Sequence, residues 1–310
     1  MNRNGGKKII ITGGSGFLGT KISELLLSNN CDVVSLDISP PKNNKVDYIE
    51  CNLAKDTIKS EWFDGVFTVI NLAGAPIFGK WTEAKKKAIY NSRVMGTKKL
   101  VAVLSETDVV NFVSASAVGV YGDRGNELLH EKSRLGDIEK SFLTKVSRHW
   151  EHEASQLKST IQTTIIRNGH ILGEKGLVGV LKPFYKWGIG GPLGDGKQWF
   201  PWVHIDDCAQ LYVQAALQDT NESDALSVKV INAVVGEPIT NKTFSKVFAK
   251  VLHRPHMLFI PKFALKILYG DFADEMMYSQ KIASNVTNMA QYKDIYIAMK
   301  DILNTKSKIK

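Results

Sequence analysis

Residues Lys8 to Gly19 read KIIITGGSGFLG, and this stretch restricts the fold more than any other part of the chain. Three consecutive isoleucines form a short, β-branched apolar run, the mark of a strand buried on both faces. A glycine-rich turn ends that strand, and a helix begins. Gly13, Gly16 and Gly19 are spaced three apart across the turn. The first lets the backbone turn sharply, the second lets a pyrophosphate approach the helix N-terminus, and the third lets the helix pack closely on the strand. The helix dipole and its unpaired N–H groups then face the phosphates. Glycines also punctuate ordinary loops, so their spacing alone is a weak signal. Asp37 strengthens it. It ends a second predicted strand, Asp32 to Leu36, about twenty residues beyond the turn, where an acid grips an adenosine ribose. Together these features predict a dinucleotide site.

At 310 residues the chain holds one large or two closely packed domains with a sizeable core. Hydrophobic residues at 44% and charged ones at 23% exclude a disordered or membrane-embedded class. No apolar run reaches bilayer length, and MNRNGGKK enters the first strand without a hydrophobic leader, so a soluble, cytoplasmic protein is expected. Cys31, Cys51 and Cys208 are odd in number and form no CxxC pair, which fits a reducing compartment and no structural metal. The net charge of +9 comes from 33 lysines against seven arginines, scattered along the chain. Specific nucleic-acid readers favour arginine interleaved with aromatics, so this charge reads as a solvated lysine surface with no nucleic-acid or membrane partner.

Taken in order, Val46 to Cys51 is a third predicted strand, ending at Asn52-Leu53, where Asn52 would either reach an adenine edge or cap a helix. Val66 to Asn71 is the fourth, and the small residues of Leu72-Ala73-Gly74 let the backbone pass a flat cofactor. A long amphipathic helix runs from Thr82 to about Leu104. The fifth strand, Val109 to Ser114, runs into SASAVGVYG, whose hydroxyls at Ser114, Ser116 and Tyr121 stand where such sheets place their chemistry; for Ser114 turn hydrogen bonds are preferred. A helix from Ile138 to about Leu157 and a sixth strand, Thr163 to Arg167, complete a regular alternation that demands right-handed crossovers and a largely parallel sheet. Beyond Asn168 the character changes: nine of the 25 glycines lie between Gly169 and Gly196, and Trp199-Phe200-Pro201-Trp202 follows. The division expected is residues 1–168 for the dinucleotide domain and 169–310 for a smaller, mostly helical substrate lobe. Val228 to Ala233 would return a strand to the main sheet.

The ordered set TGGSGFLG, Asp37, NLAG, SASAVGVYG, RNGHILG and HIDD resembles the extended short-chain dehydrogenase/reductases. Within that superfamily, WTEAKKKAIYNSRVMGT, GGPLGDGKQWFPWVHIDD and IPKFALKILYGDFADEMM are similar to the epimerase family branch of NAD-dependent epimerase/dehydratase-like proteins, over nearly the whole chain. The resemblance implies an α/β, Rossmann-type doubly wound parallel sheet with a small C-terminal substrate lobe, binding NAD or NADP. Gly13, Ser15, Gly16, Phe17 and Leu18 would hold the pyrophosphate, Asp37 the adenosine ribose, Asn52 and Leu53 the adenine, and Leu72, Ala73 and Gly74 the ribose side of the cofactor. Ser116 matches the catalytic serine best, although one extra residue before the Tyr-Gly pair leaves Ser114 and Ala117 as other registers.

The main departure is chemical. The superfamily works through Tyr-x-x-x-Lys on a helix, where the lysine lowers the tyrosine pKa and the phenol trades a proton as hydride moves. In FLTKVSRHWEHEA the matching positions hold Leu143 and Ser147, and Lys145 lies on another face. Tyr296 and Lys300 make a chance match beyond the substrate lobe. The expectation is therefore an NAD(P)-dependent oxidoreductase or epimerase acting on a hydroxylated, sugar-like small molecule, with Ser116 polarising a carbonyl and Tyr121, ahead of His149 or His204, supplying a proton. The alternative is a non-catalytic dinucleotide-binding sensor. Asp37 would repel a 2′-phosphate, which favours NAD, with Lys42 or Lys45 able to offset the repulsion. If the chain pairs as its relatives do, the helices starting near Thr82 and Ile138 form the homodimer face.

Overall fold

Ile9, Ile10 and Ile11 have no exposed surface. Ile9 and Ile11 join the core layer that contains Ile22 and Leu26, while Ile10 joins the opposite layer with Leu100 and Leu104. The period-two alternation of a strand thus sends neighbouring isoleucines into different layers, and helices cover both. The structure, a computed structural model, describes residues 6–218, 228–256, 258–286 and 290–304.

Strand β1 (Lys8–Thr12) is followed by helix α1 (Phe17–Ser28), β2 (Asp32–Asp37) and β3 (Asp47–Glu50). Then come β4 (Val66–Asn71), α2 (Glu83–Tyr90), α3 (Gly96–Leu104), β5 (Asn111–Ala117), α4 (Phe142–Ala154) and β6 (Gln162–Asn168). The remainder holds α5 (Leu177–Lys186), α6 (Ile205–Leu217), β7 (Lys229–Ala233), α7 (Asn241–Val251), α8 (Lys262–Tyr269), α9 (Phe272–Glu275) and α10 (Ile295–Asn304). The seven strands form one parallel sheet in the order β7-β6-β5-β4-β1-β2-β3. The strand order reverses between β1 and β4, and folds of this kind bind their ligands outside the strand carboxyl ends at that point.

Two helices depart from their predicted spans. The helix expected from Thr82 to Leu104 begins as predicted, with Thr82 Oγ1 accepting the Lys85 N–H at 3.2 Å, but a π-turn at Asn91–Met95 splits it into α2 and α3. The helix expected from Ile138 starts at Phe142. Asp137 Oδ1 accepts the Glu139 N–H in a local turn, and Ser141 Oγ caps the helix on the Thr144 N–H, both at 3.0 Å. Glu275 of α9 accepts from Ser141 Oγ and the Leu143 N–H, so a later helix also grips the start of α4.

The aromatic stretch after Lys197 is largely packed against neighbouring rings. Phe200 stacks between His170 and Phe244, each with ring centroids 4.3 Å away, and Trp202 is buried. Trp199 donates from Nε1 to Asn126 Oδ1 at 2.8 Å. His204 Nδ1 accepts the Asp206 N–H at 3.2 Å, which makes it the N-cap of α6. The three cysteines are free and buried, and no helix among the described residues is long and apolar enough to cross a membrane.

Candidate functional site

The turn after β1 is shaped by what side chains would strike there. Gly13 has φ +71°, and a Cβ on it would lie 3.0 Å from the Ala73 backbone nitrogen, so this turn and the segment after β4 are in backbone contact. A Cβ on Gly19 would overlap the Gly13 carbonyl and stand 2.7 Å from Gly14 Cα; the third glycine lets α1 sit on the turn itself. Gly16 is the exposed N-cap of α1, with no side-chain cap and no acid in the first turn. Open first-turn N–H groups at the switch point fit an anionic diphosphate. Phe17 contributes that first turn, while its ring packs against Gly173 and Gly176, where a Cβ on Gly176 would lie 2.8 Å from Phe17 Cε1. Leu18 is half-buried against the core.

Asp37 is seated at the mouth of the turn. Its carboxylate accepts the Ser15 N–H at 3.0 Å and the Ile38 N–H at 2.7 Å. Ser15 Oγ donates to the Ser39 carbonyl at 2.6 Å, drawing the loop after β2 onto the turn. Asn52 Oδ1 accepts the Ala54 N–H at 3.1 Å, a local turn cap, and Leu53 is buried beside Gly96. Thr12 Oγ1 donates to Asn71 Oδ1 at 2.8 Å and accepts the N–H groups of Leu72 and Ala73, which holds that segment against β1. Gly74 follows and is exposed.

Ser116 and Tyr121 belong to one buried network. Ser116 Oγ donates to Glu151 Oε1 at 2.6 Å, and Glu151 receives Arg167 through two bonds. Arg167 Nη1 donates to the Tyr121 oxygen at 2.9 Å, and the phenol donates to Asn232 Oδ1 at 2.8 Å. Tyr121 has no exposed surface, and burial pushes its phenol up despite the opposing charge of Arg167. Desolvation works against the Arg167 charge, yet its bonds to Glu151 outweigh that and hold the guanidinium above its ordinary range. Ser114 Oγ donates to the Ala115 carbonyl and receives Asn71 Nδ2.

On α4, Leu143 and Ser147 face the end of β5: a Cβ on Gly119 would lie 3.6 Å from Leu143 Cβ and 3.8 Å from Ser147 Oγ. The helix thus presents toward that strand end two side chains that cannot trade a proton at neutral pH. His149 pairs with Tyr90, Nδ1 to hydroxyl oxygen 2.9 Å. Tyr296 and Lys300 lie on α10, with Lys250 over the Tyr296 ring. The residue prediction from sequence overlooked is Arg93, whose guanidinium lies against Gly74. The signal was available: it stands four positions after Ile89, on the apolar stripe of an amphipathic helix.

The model of the NAD dependent epimerase/dehydratase family matches residues 9–230. The chain belongs to that family. Among curated members of this epimerase family, it is 32% identical over 283 residues to the Epimerase family protein SDR39U1 homolog, chloroplastic, of Arabidopsis thaliana, covering 88% of this chain and 79% of the relative. It is 31% identical over 270 residues to Epimerase family protein YfhF of Bacillus subtilis, covering 86% of each. The crystal structure of human epimerase family protein SDR39U1 (isoform 2) with NADPH superposes with a TM-score of 0.83 at 24% identity, over 96% of this chain and 99% of that one. UDP-glucuronic acid 4-epimerase from Bacillus cereus, in complex with UDP-glucuronic acid and NAD, superposes with a TM-score of 0.76 at 17% identity, over 98% and 100% of the two chains. These superpositions establish a shared fold, the seven-stranded parallel sheet flanked by helices.

Proposed function

We propose that this epimerase family protein is a nicotinamide-dinucleotide-dependent oxidoreductase or epimerase acting on a hydroxylated, sugar-like small molecule. The observation that carries the reading is the glycine turn, with the open first turn of α1 on one side and the Asp37 carboxylate on the other. The solved human relative with NADPH and the Bacillus cereus relative with NAD support it. Gly13, Ser15, Gly16, Phe17 and Leu18 would hold the diphosphate, Asp37 the adenosine ribose, Asn52 and Leu53 the adenine side, and Leu72 to Gly74 the other ribose. A nicotinamide held there supplies hydride chemistry. Ser116 would polarise a substrate carbonyl and Tyr121 would supply a proton, with Glu151 and Arg167 fixing the positions of the two hydroxyls. NAD is proposed over NADP, because a carboxylate at Asp37 accepts ribose hydroxyls and repels a 2′-phosphate.

Leu143 and Ser147 favour a second reading, a non-catalytic dinucleotide sensor in which the buried bonds of Ser116 and Tyr121 are purely structural. Dissociation constants for NADH and NADPH, followed by incubation with fractionated metabolite extracts while reduced-coenzyme absorbance is recorded, separate the readings. Turnover that Ser116→Ala abolishes supports the enzyme, firm coenzyme binding without turnover in any fraction supports the sensor, and no affinity for either coenzyme defeats both. A homodimer through α2, α3 and α4 is part of the proposal, supported by the groove that Lys87, Tyr90, Phe142 and Lys145 line; a monomeric mass by light scattering defeats that part. Cytoplasmic residence is likewise proposed, on the three free thiols.

A further inference from the structure

Helix α8 reads KFALKILY, and Leu265 is its one buried side chain. Phe263 and Ile267, four positions apart and therefore on one face of the helix, are 70% and 73% exposed. The chain just before α8 adds Leu258 and Phe259, and the end of α5 adds Trp187, 77% exposed, and Ile189. These side chains come from two segments that the backbone holds edge to edge. The Ile260 N–H donates to the Pro192 carbonyl and the Gly194 N–H to the Ile260 carbonyl, both at 2.8 Å, and a Cβ on Gly191 would overlap the Leu258 carbonyl. His256 Nε2 lies 3.0 Å from Ser245 Oγ, which fastens the second segment to α7. Single exposed apolar side chains are ordinary, whereas a group of large ones on adjoining segments marks a contact surface.

The charges around this face say what covers it. Residues 177–191 carry Lys182 and Lys186, residues 253–270 carry Arg254, Lys262 and Lys266, and neither stretch holds an aspartate or a glutamate. Lys262 and Lys266 both reach Asp274 of α9, at 2.8 and 3.3 Å, so one carboxylate leaves the two with a net positive charge. Lys182, Lys186 and Arg254 form no ion pair among the described residues. A second copy of the chain on this face would set like charge against like. An anionic bilayer matches both features: the apolar side chains enter the acyl boundary, an indole sits at headgroup level, and lysine stems lie along the apolar surface with their ammonium groups among lipid phosphates. We infer that the end of α5, residues 258–260 and α8 form a peripheral docking surface for a membrane bearing anionic lipids. With eight residues α8 lies on such a membrane and does not cross it. The inference is independent of the dinucleotide reading, and for this one face it replaces the expectation of a solvated lysine surface with no membrane partner.

The full chain, without added coenzyme, is floated with large unilamellar vesicles of phosphatidylcholine alone or with about 30 mol% phosphatidylglycerol. The expected result is saturable binding to the anionic vesicles, at least about tenfold weaker on phosphatidylcholine alone and weakened by added salt. Phe263→Ser with Ile267→Ser, and separately Lys182→Gln with Lys186→Gln, should each lower the partition coefficient at least about tenfold. Melting temperatures should stay near wild type, because none of these four side chains is buried. Brominated acyl chains should quench part of the tryptophan emission, and Trp187→Phe should remove that part while vesicle binding persists. A wild type that does not bind anionic vesicles overturns the inference, a result needing no variant to fold. Equal binding by wild type and the Phe263→Ser, Ile267→Ser double variant also overturns it, since the contact then lies elsewhere. Concentration-dependent dimerisation that the double variant abolishes, with no vesicle binding, makes the face a contact between copies and overturns it as well.

Discussion

The Glu151 carboxylate meets the Arg167 guanidinium through two bonds of 2.8 Å, Nε to Oε1 and Nη2 to Oε2, with both side chains buried between α4 and β6. Ser116 of β5 adds a third bond to the carboxylate, and Tyr121 carries the network on to Asn232 of β7. The helix that would carry catalytic residues is thereby fastened to three strands. Glu151→Ala strands a buried guanidinium and is expected to lower stability by about 3–5 kcal/mol in urea unfolding. Combining Glu151→Leu with Arg167→Met should cost less than the sum of the single changes, because no charge is then left unpaired.

The glycines of the first turn separate by what their missing side chains admit. Gly19→Ala drives a methyl into the Gly13 carbonyl and should destabilise the protein by about 1–3 kcal/mol. Gly16→Ala meets only the Gly13 carbonyl oxygen at 3.1 Å, so its melting temperature should stay near wild type while coenzyme affinity drops on the order of tenfold. Differential scanning fluorimetry with and without NADH reads both effects.

Asp37→Asn keeps an oxygen that can accept from the Ser15 N–H but removes the negative charge. The ratio of NADPH to NADH affinity should rise about tenfold or more in calorimetric titration. An unchanged ratio would mean that this carboxylate does not face a 2′-phosphate.

His170 is exposed on one side and stacked on Phe200 on the other, and desolvation lowers its pKa from 6.5 to about 4. A histidine depressed on folding contributes stability that is complete above pH 6.5 and is lost as pH falls toward 4, where the folded ring must take up a proton. The melting temperature of His170→Phe, which keeps a ring stacked on Phe200, should fall less steeply than that of wild type across this window.

The sequence by itself determined the sheet and the glycine turn on which the proposed coenzyme seat is built. A triple isoleucine, glycines at fixed spacing and an acid ending the next strand are demands made by neighbouring atoms, so they are written into contiguous residues and can be read without the fold. Leu143 and Ser147 were legible for the same reason, since helix geometry alone puts them on one face. Even the boundaries that moved did so for local causes, an Asx turn at Asp137 and a π-turn at Asn91–Met95.

Only the tertiary structure decided what the polar side chains do. Ser116 and Glu151 are 35 positions apart, and Tyr121 and Asn232 are 111 apart, so nothing local announces that these hydroxyls find buried partners. A serine, a tyrosine and an arginine near strand ends suit proton transfer and buried cross-linking equally well, and the packing of α4 against β5 and β6 determines which groups meet. Arg93 shows the same limit from the other direction. Its charge is plain in the sequence, but the absence of a carboxylate beside it among the described residues is a property of the assembled fold.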